Sequence, residues 1–143
     1  MSKIDSKKIT LGVHHVGLTV KNLDQARHFL VNTLQYQQVG EKPEYPAAIL
    51  SDGRTLITLW QASDPTKAIE FDRKNVIGLH HLALAVDGDA ALDSLYQELT
   101  NDSRVKIEFA PVAMGNGPRR HMMCNIPGGG IRVEFVAVSS ACV

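Results

Sequence analysis

Cysteine is scarce in this 143-residue chain, where Cys124 and Cys142 are the only two. Two unpatterned cysteines cannot build a disulfide framework and are read as thiols of a reducing compartment. Neither sign of charge is in excess, because fifteen Lys and Arg balance fifteen Asp and Glu. That balance removes the electrostatic grounds for a nucleic-acid or anionic-membrane partner. Long apolar runs are also missing, which excludes a helical membrane span. The opening residues, Met-Ser-Lys-Ile-Asp-Ser-Lys-Lys, hold no apolar stretch. The expectation is therefore no secretory signal and a cytoplasmic location. A chain of this length can bury a substantial core but is short for two independent domains.

What the chain does contain is a repeat. Gly12–Val20 reads Gly-Val-His-His-Val-Gly-Leu-Thr-Val, and Gly78–Val86 reads Gly-Leu-His-His-Leu-Ala-Leu-Ala-Val, 66 positions later. Self-similarity at a fixed offset signals one supersecondary unit used twice. Both copies alternate with the period of a half-buried strand. His14, Val16, Leu18 and Val20 share one face, as do His80, Leu82, Leu84 and Val86, and these bulky rows are expected to meet the core. The opposite rows set His15 beside Gly17 and Thr19, and His81 beside Ala83 and Ala85. Small residues next to an imidazole leave room for a ligand, so His15 and His81 are the candidates.

The rest of the chain follows one plan twice. Asn22 can cap a helix, with Gln25 in capping-box position. Ala26, Phe29, Leu30, Thr33 and Leu34 then mark one helix face, and His28 falls on the solvated side. A short strand at Gln38–Glu41 precedes Ala47–Ser51 and Thr55–Gln61, which the Asp52-Gly53 pair joins as a hairpin. Polar residues 62–76 form the linker. In the second module the helix stripe is Leu92, Leu95, Tyr96 and Leu99. Val105, Ile107 and Phe109 mark a strand ending at Pro111, and Met114–Pro118 is a loop. Arg120–Asn125 and Ile131–Val138 form a hairpin across Pro127–Gly130. Neither glycine-rich stretch is a strand-to-helix turn, so neither is a phosphate cradle. Module one thus runs over about 10–61 and module two over 77–138, within a single domain spanning 1–143.

In the last strand Ile131, Val133 and Phe135 form one row, and Arg132, Glu134 and Val136 the other. A carboxylate in an otherwise apolar strand is costly unless it is paired or bound to a metal. His15 and His81 are positioned to bring such a partner. Two imidazoles and one carboxylate make a facial triad that leaves neighbouring coordination positions open.

The doubled strand–helix–three-strand plan resembles the vicinal oxygen chelate superfamily, which includes glyoxalase I, methylmalonyl-CoA epimerase, extradiol dioxygenases, fosfomycin-resistance enzymes and bleomycin-binding proteins. The matching motifs are His15-Val-Gly-Leu-Thr-Val20, His81-Leu-Ala-Leu-Ala-Val86 and Gly130-Ile-Arg-Val-Glu134-Phe. The resemblance implies an α+β fold in which tandem βαβββ modules form a curved, partly open eight-stranded mixed barrel. It implies a divalent metal (Zn, Ni, Mn or Fe) on His15, His81 and Glu134. The implied activity is a glyoxalase-like lyase or isomerase acting on a small molecule with vicinal oxygens. It also implies a homodimer, in which the site can mix ligands from both subunits.

The pattern departs from that family at two places. Glyoxalase I and the epimerases carry a fourth ligand, Glu or Gln, in the last strand of module one, where this chain offers Thr58, or Gln61 if a bulge intervenes. Extradiol and fosfomycin enzymes carry a tyrosine where Met123 stands. His121, two residues earlier on that face, is a candidate general acid or base alongside Glu134. Arg119 is a candidate for holding an anionic substrate group, whereas Arg120 lies on the other face. Trp60 and Met123 are candidate pocket residues. Three rival readings stay open: an extradiol-type dioxygenase, a fosfomycin-type thiol transferase, and a non-enzymatic binder of a drug or metabolite.

Overall fold

The computed structural model describes residues 8–139. Module one comprises β1 (Val16–Val20), α1 (Leu23–His28), β2 (Gln37–Lys42), β3 (Ala47–Ser51) and β4 (Leu56–Gln61). Module two comprises β5 (Leu82–Asp87), α2 (Gly88–Thr100), β6 (Lys106–Ala113), β7 (Arg120–Asn125) and β8 (Arg132–Val138). The strands form two four-stranded mixed sheets, ordered β1-β4-β3-β2 and β5-β8-β7-β6. All eight expected strands are present, but no ladder among the described residues joins them into one sheet. The fold is α+β.

Each helix is the crossover that lets the first strand of its module lie parallel to the last. Asn22 caps α1, its Oδ1 accepting from Gln25 N at 3.0 Å. Phe29–Thr33 then continue as a π-wound turn, which ends at Gln35 with φ of 62°. Phe29 and Leu30 on the π-wound turn, and Leu92 and Leu99 on α2, bury their side chains against the sheets. Leu18, Leu50 and Leu59 of module one share a single apolar cluster with Met122, Val133 and Phe135 of module two. The Asp52-Gly53 hairpin forms as the sequence indicates, with Asp52 Oδ1 accepting from Arg54 N and Thr55 N.

Two expectations are corrected. The repeated motifs do not begin as strands, because β1 starts at Val16 and β5 at Leu82. Val16 pairs with Ile57 and Leu82 with Val133, near the starts of β4 and β8, so the histidine doublets precede the ladders and escape the strand alternation. The strand at Val105–Phe109 does not stop at Pro111 either. β6 is an edge strand running through Pro111 to Ala113, where a missing N–H is tolerated. A register shift between Ile107 and Phe109 breaks the expected common row, so that Ile107 opposes Cys124 and Phe109 opposes Met123.

The Pro127–Gly130 turn locks the modules together. Asn22 N donates to Gly128 O at 2.9 Å, which ties the start of α1 to the β7–β8 turn. Gly128 has φ of 109°, and a Cβ there would lie 2.6 Å from Ala26 Cβ. Gly128→Ala should therefore destabilise the protein by on the order of 3 kcal/mol, through backbone strain and overpacking together. Gly53 has φ of 93° but open space around it. Gly53→Ala should cost only about 1–2 kcal/mol. Urea titration of both variants checks the ranking, and equal losses would contradict the close approach at Ala26.

Cys124 is fully buried. Burial, followed by the nearby Glu108 charge, pushes its thiol up to about 12. A raised native value means its stabilising contribution is complete below the ordinary thiol range and is lost as pH climbs towards 12. Between about pH 8.5 and 12, stability should fall with a slope about 1.4 kcal/mol per pH unit steeper in wild type than in Cys124→Ala. Denaturation at stepped pH measures that difference in slope.

Candidate metal centre

Glu134 sits on β8, an inner strand of the second sheet, flanked in register by Ala83 of β5 and Met123 of β7. Its side chain is only 8% exposed, so the carboxylate needs partners. It has two. His121 Nδ1 donates to Glu134 Oε1 at 2.6 Å, and His81 Nε2 lies 3.2 Å from Glu134 Oε2. His121 is fixed from the other side by the Phe109 ring, with centroids 5.0 Å apart. The bulge in β6 is what turns Phe109 to this face.

The 3.2 Å separation of His81 Nε2 and Glu134 Oε2 is informative. Two adjacent ligand atoms on one ion, each about 2.1 Å from it at right angles, stand about 3 Å apart. A nitrogen and a carboxylate oxygen are a suitable donor pair for a borderline divalent ion. The donors present thus fit two of a metal's ligands. No group of three or more His, Cys, Asp or Glu residues with metal-holding geometry occurs among the described residues.

The missing member is His15. It is exposed at the mouth of module one, its Nδ1 3.0 Å from His14 Nδ1, and the chain does not bring it to Glu134. Its surroundings mirror those of His81. Gly17 opposes Thr58 as Ala83 opposes Glu134, so Thr58 occupies the position repeat-equivalent to Glu134. Thr58 is buried and accepts from Trp60 Nε1 at 2.9 Å. Trp60 is half-buried, packed on Tyr45 at 4.9 Å between ring centroids.

Gln61 is engaged elsewhere. Its Oε1 accepts from Leu23 N at 2.9 Å and its Nε2 donates to Lys21 O at 2.8 Å, fastening β4 to the start of α1. Arg119 is exposed and makes no side-chain contact with Glu134, its carbonyl accepting from Met114 N at 2.8 Å. Arg120 pairs with Asp93 and Asp89 on α2. Met123 is buried beside Glu134.

The residues that pattern reading misses are His80, Arg132 and Glu108. Strand alternation assigns His80 to the core row, yet it is exposed, and its Nδ1 lies 2.8 Å from His81 Nδ1 and 3.4 Å from Arg132 Nη1. Arg132 Nε donates to Glu108 Oε2 at 2.7 Å, and Arg73 of the linker donates to Glu108 Oε1 at 3.1 Å. A charged residue two positions from Glu134 on the same face of an apolar strand was the available signal for Arg132.

The paired modules define a two-module α+β protein with an imidazole–carboxylate cluster on its second sheet. The chain belongs to the Glyoxalase/Bleomycin resistance protein/Dioxygenase superfamily, whose family model matches residues 12–135. No curated protein sequence matches it. Among solved structures it is similar to a putative glyoxalase from Bacillus halodurans, with 26% identity, TM-score 0.72, and coverage of 88% of this chain and 95% of that one. It is also similar to the fosfomycin resistance protein FosX from Listeria monocytogenes, with 15% identity, TM-score 0.71, and coverage of 92% and 94%. Lactoylglutathione lyase from Agrobacterium tumefaciens has 20% identity, TM-score 0.65, and coverage of 91% and 96%.

Because Gln61 is satisfied by backbone groups, Gln61→Leu should cost about 1–3 kcal/mol in stability and leave divalent-metal affinity unchanged. Denaturant titration and metal titration of the same sample separate the two effects. A large loss of metal affinity would instead make Gln61 a ligand.

Proposed function

We propose that the protein is a divalent-metal-dependent enzyme of the glyoxalase-like kind, a lyase or isomerase acting on a small molecule with vicinal oxygens. The observation that carries this reading is the Glu134 carboxylate, with His81 Nε2 at 3.2 Å on one oxygen and His121 Nδ1 at 2.6 Å on the other. His81 and Glu134 would hold the ion from within the chain, and His15 of a second copy would complete the triad. Ile9, Leu11 and Val13 before β1, and Ile77 before β5, are almost wholly exposed apolar residues. Apolar side chains repeated at equivalent places in both modules suit a homodimer that covers them. Pairing a first sheet with a partner's second sheet would also supply the cupped eight-stranded barrel that one chain lacks.

Bound there, a divalent ion supplies Lewis acidity to two neighbouring substrate oxygens and stabilises the negative charge that develops on them. The chain's own residues divide the remaining work. Glu134 would help hold the ion through its carboxylate, while its Oε1 pairs with His121. With Nδ1 donating to Glu134, His121 keeps Nε2 free to take a proton from substrate and return it. Phe109 holds that ring in place, while Met123 and a partner's Trp60 and Thr58 would wall the pocket.

Met123 stands where extradiol and fosfomycin enzymes carry tyrosine, which disfavours both of those rivals. The non-enzymatic binder has one observation on its side, the lack of a three-ligand group within the described chain. Metal content separates the two surviving readings. Wild-type protein exposed to Ni, Zn, Mn and Fe should hold a divalent ion stoichiometrically, and Glu134→Gln should hold far less. Wild type that stays metal-free would overturn the metal-dependent reading in favour of the binder.

A further inference from the structure

We infer that Arg132 holds an anionic group of the substrate, a carboxylate or phosphate, beside the Glu134 cluster. This names a substrate class for the proposed site and rests on the reading of that site as one for vicinal oxygens. Arg132, Glu134 and Val136 alternate along one face of β8, inside a ladder that runs without a shift from the Asn125 pair of Arg132 to the His121 pair of Val136. Residues two apart on a strand stand about 6.6 Å from each other. The guanidinium and the carboxylate therefore face the same space, at a separation one small molecule can span. Arg119, the candidate read from the sequence, is exposed ahead of β7 and makes no side-chain contact with Glu134.

The Arg132 side chain is only 9% exposed, yet most of its donors are unspent. Nε donates to Glu108 Oε2 at 2.7 Å, which fixes the fork in place. Nη1 comes no closer to an acceptor than His80 Nδ1 at 3.4 Å, beyond a strong hydrogen bond. Nη2 has no acceptor among the described residues, and no fully buried side-chain nitrogen or oxygen there lacks a partner, so Nη2 opens to solvent. Charge is in surplus at the same place. Arg73 Nη1 also donates to Glu108, at 3.1 Å, so two guanidiniums share one carboxylate. Glu134 is already taken by His81 and His121. A largely buried cation left short of counter-charge is costly until an anion meets it. Two oxygens on Nη1 and Nη2 form the bidentate pair that a guanidinium favours. The first module has no counterpart, because Leu56 stands at the position equivalent to Arg132.

Hydroxamates chelate a divalent ion through two vicinal oxygens without reacting, which makes them suitable probes. Cobalt(II)-loaded protein is titrated calorimetrically with propionohydroxamate and with the same compound bearing a terminal carboxylate or phosphonate. Wild type should bind at least one charged probe about 10–100-fold more tightly than the neutral one, and the tighter of the two names the group. Arg132→Met should abolish that preference, whereas Arg119→Gln should leave it intact. Equal affinities in wild type, a preference that survives Arg132→Met, or one lost in Arg119→Gln overturns the inference. A second measurement needs neither the ion nor a variant that folds. In metal-free wild type the Arg132 Nε–H proton–nitrogen signal should move with succinate or inorganic phosphate and stay still with uncharged succinamide. A signal that ignores both anions overturns the inference. Wild type that takes up no cobalt(II) sinks the metal reading, and the Nε–H signal then judges Arg132 alone.

Discussion

The second sheet is arranged around a single buried carboxylate. Glu134 lies between Val133 and Phe135 in a strand whose neighbours are apolar, and a carboxylate in that setting must be compensated by hydrogen bonds or opposite charge. The strand order β5-β8-β7 answers the requirement, because it places β8 between the two elements that lead to His81 and carry His121. Ala83 and Met123 flank Glu134 in register, so no bulky neighbour on β5 crowds the approach of an imidazole. The βα crossover, the parallel pairing of β5 with β8 and the bulge that delivers Phe109 all serve that one anionic group.

Much of this was readable in the residues themselves. The duplicated Gly-x-His-His stretch, the Asn22 cap and the Asp52-Gly53 hairpin are local signals with local physical causes. The cap and the hairpin form as announced, whereas each repeated stretch becomes strand only after its histidines, at Val16 and Leu82. His121 shares a face with Met123, two residues on, and Met123 pairs with Glu134 across the β7–β8 hairpin, so His121 and Glu134 share that face. The misreadings come from where local periodicity stops. His80 was assigned by alternation, but alternation binds only residues inside a ladder, and the ladder begins at Leu82. Phe109 was grouped with Ile107, but the β6 bulge inserts one extra residue between them. Glu108 and Arg132 come from different strands, and their pairing follows from sheet order and long side chains, which no single stretch of sequence displays.

The union of the modules rests on small, directional contacts as well as on hydrocarbon. A backbone hydrogen bond from Asn22 to Gly128 joins the helix start of one module to the turn that feeds β8 of the other. Gln61 performs a related duty within module one, tying the end of β4 to the start of α1. These fastenings hold the strand bearing Glu134 at a set place relative to the first module. The residue nearest to serving as an extra ligand by composition, Gln61, is thereby committed to architecture.

Thr58 at the place equivalent to Glu134 makes the two halves of this duplicated chain electrically unlike. Halves that both bore an acid could associate in any combination. With acid on one half alone, contact between two second halves would crowd two anions into one space and leave the opposite pair of first halves with imidazoles and no counter-charge. Association of unlike halves, as in the proposed homodimer, would give every interface the same complement of one acid with histidines from each side. In the proposed homodimer, a hydroxyl in place of a carboxyl would thus work as an address, deciding which surface can meet which.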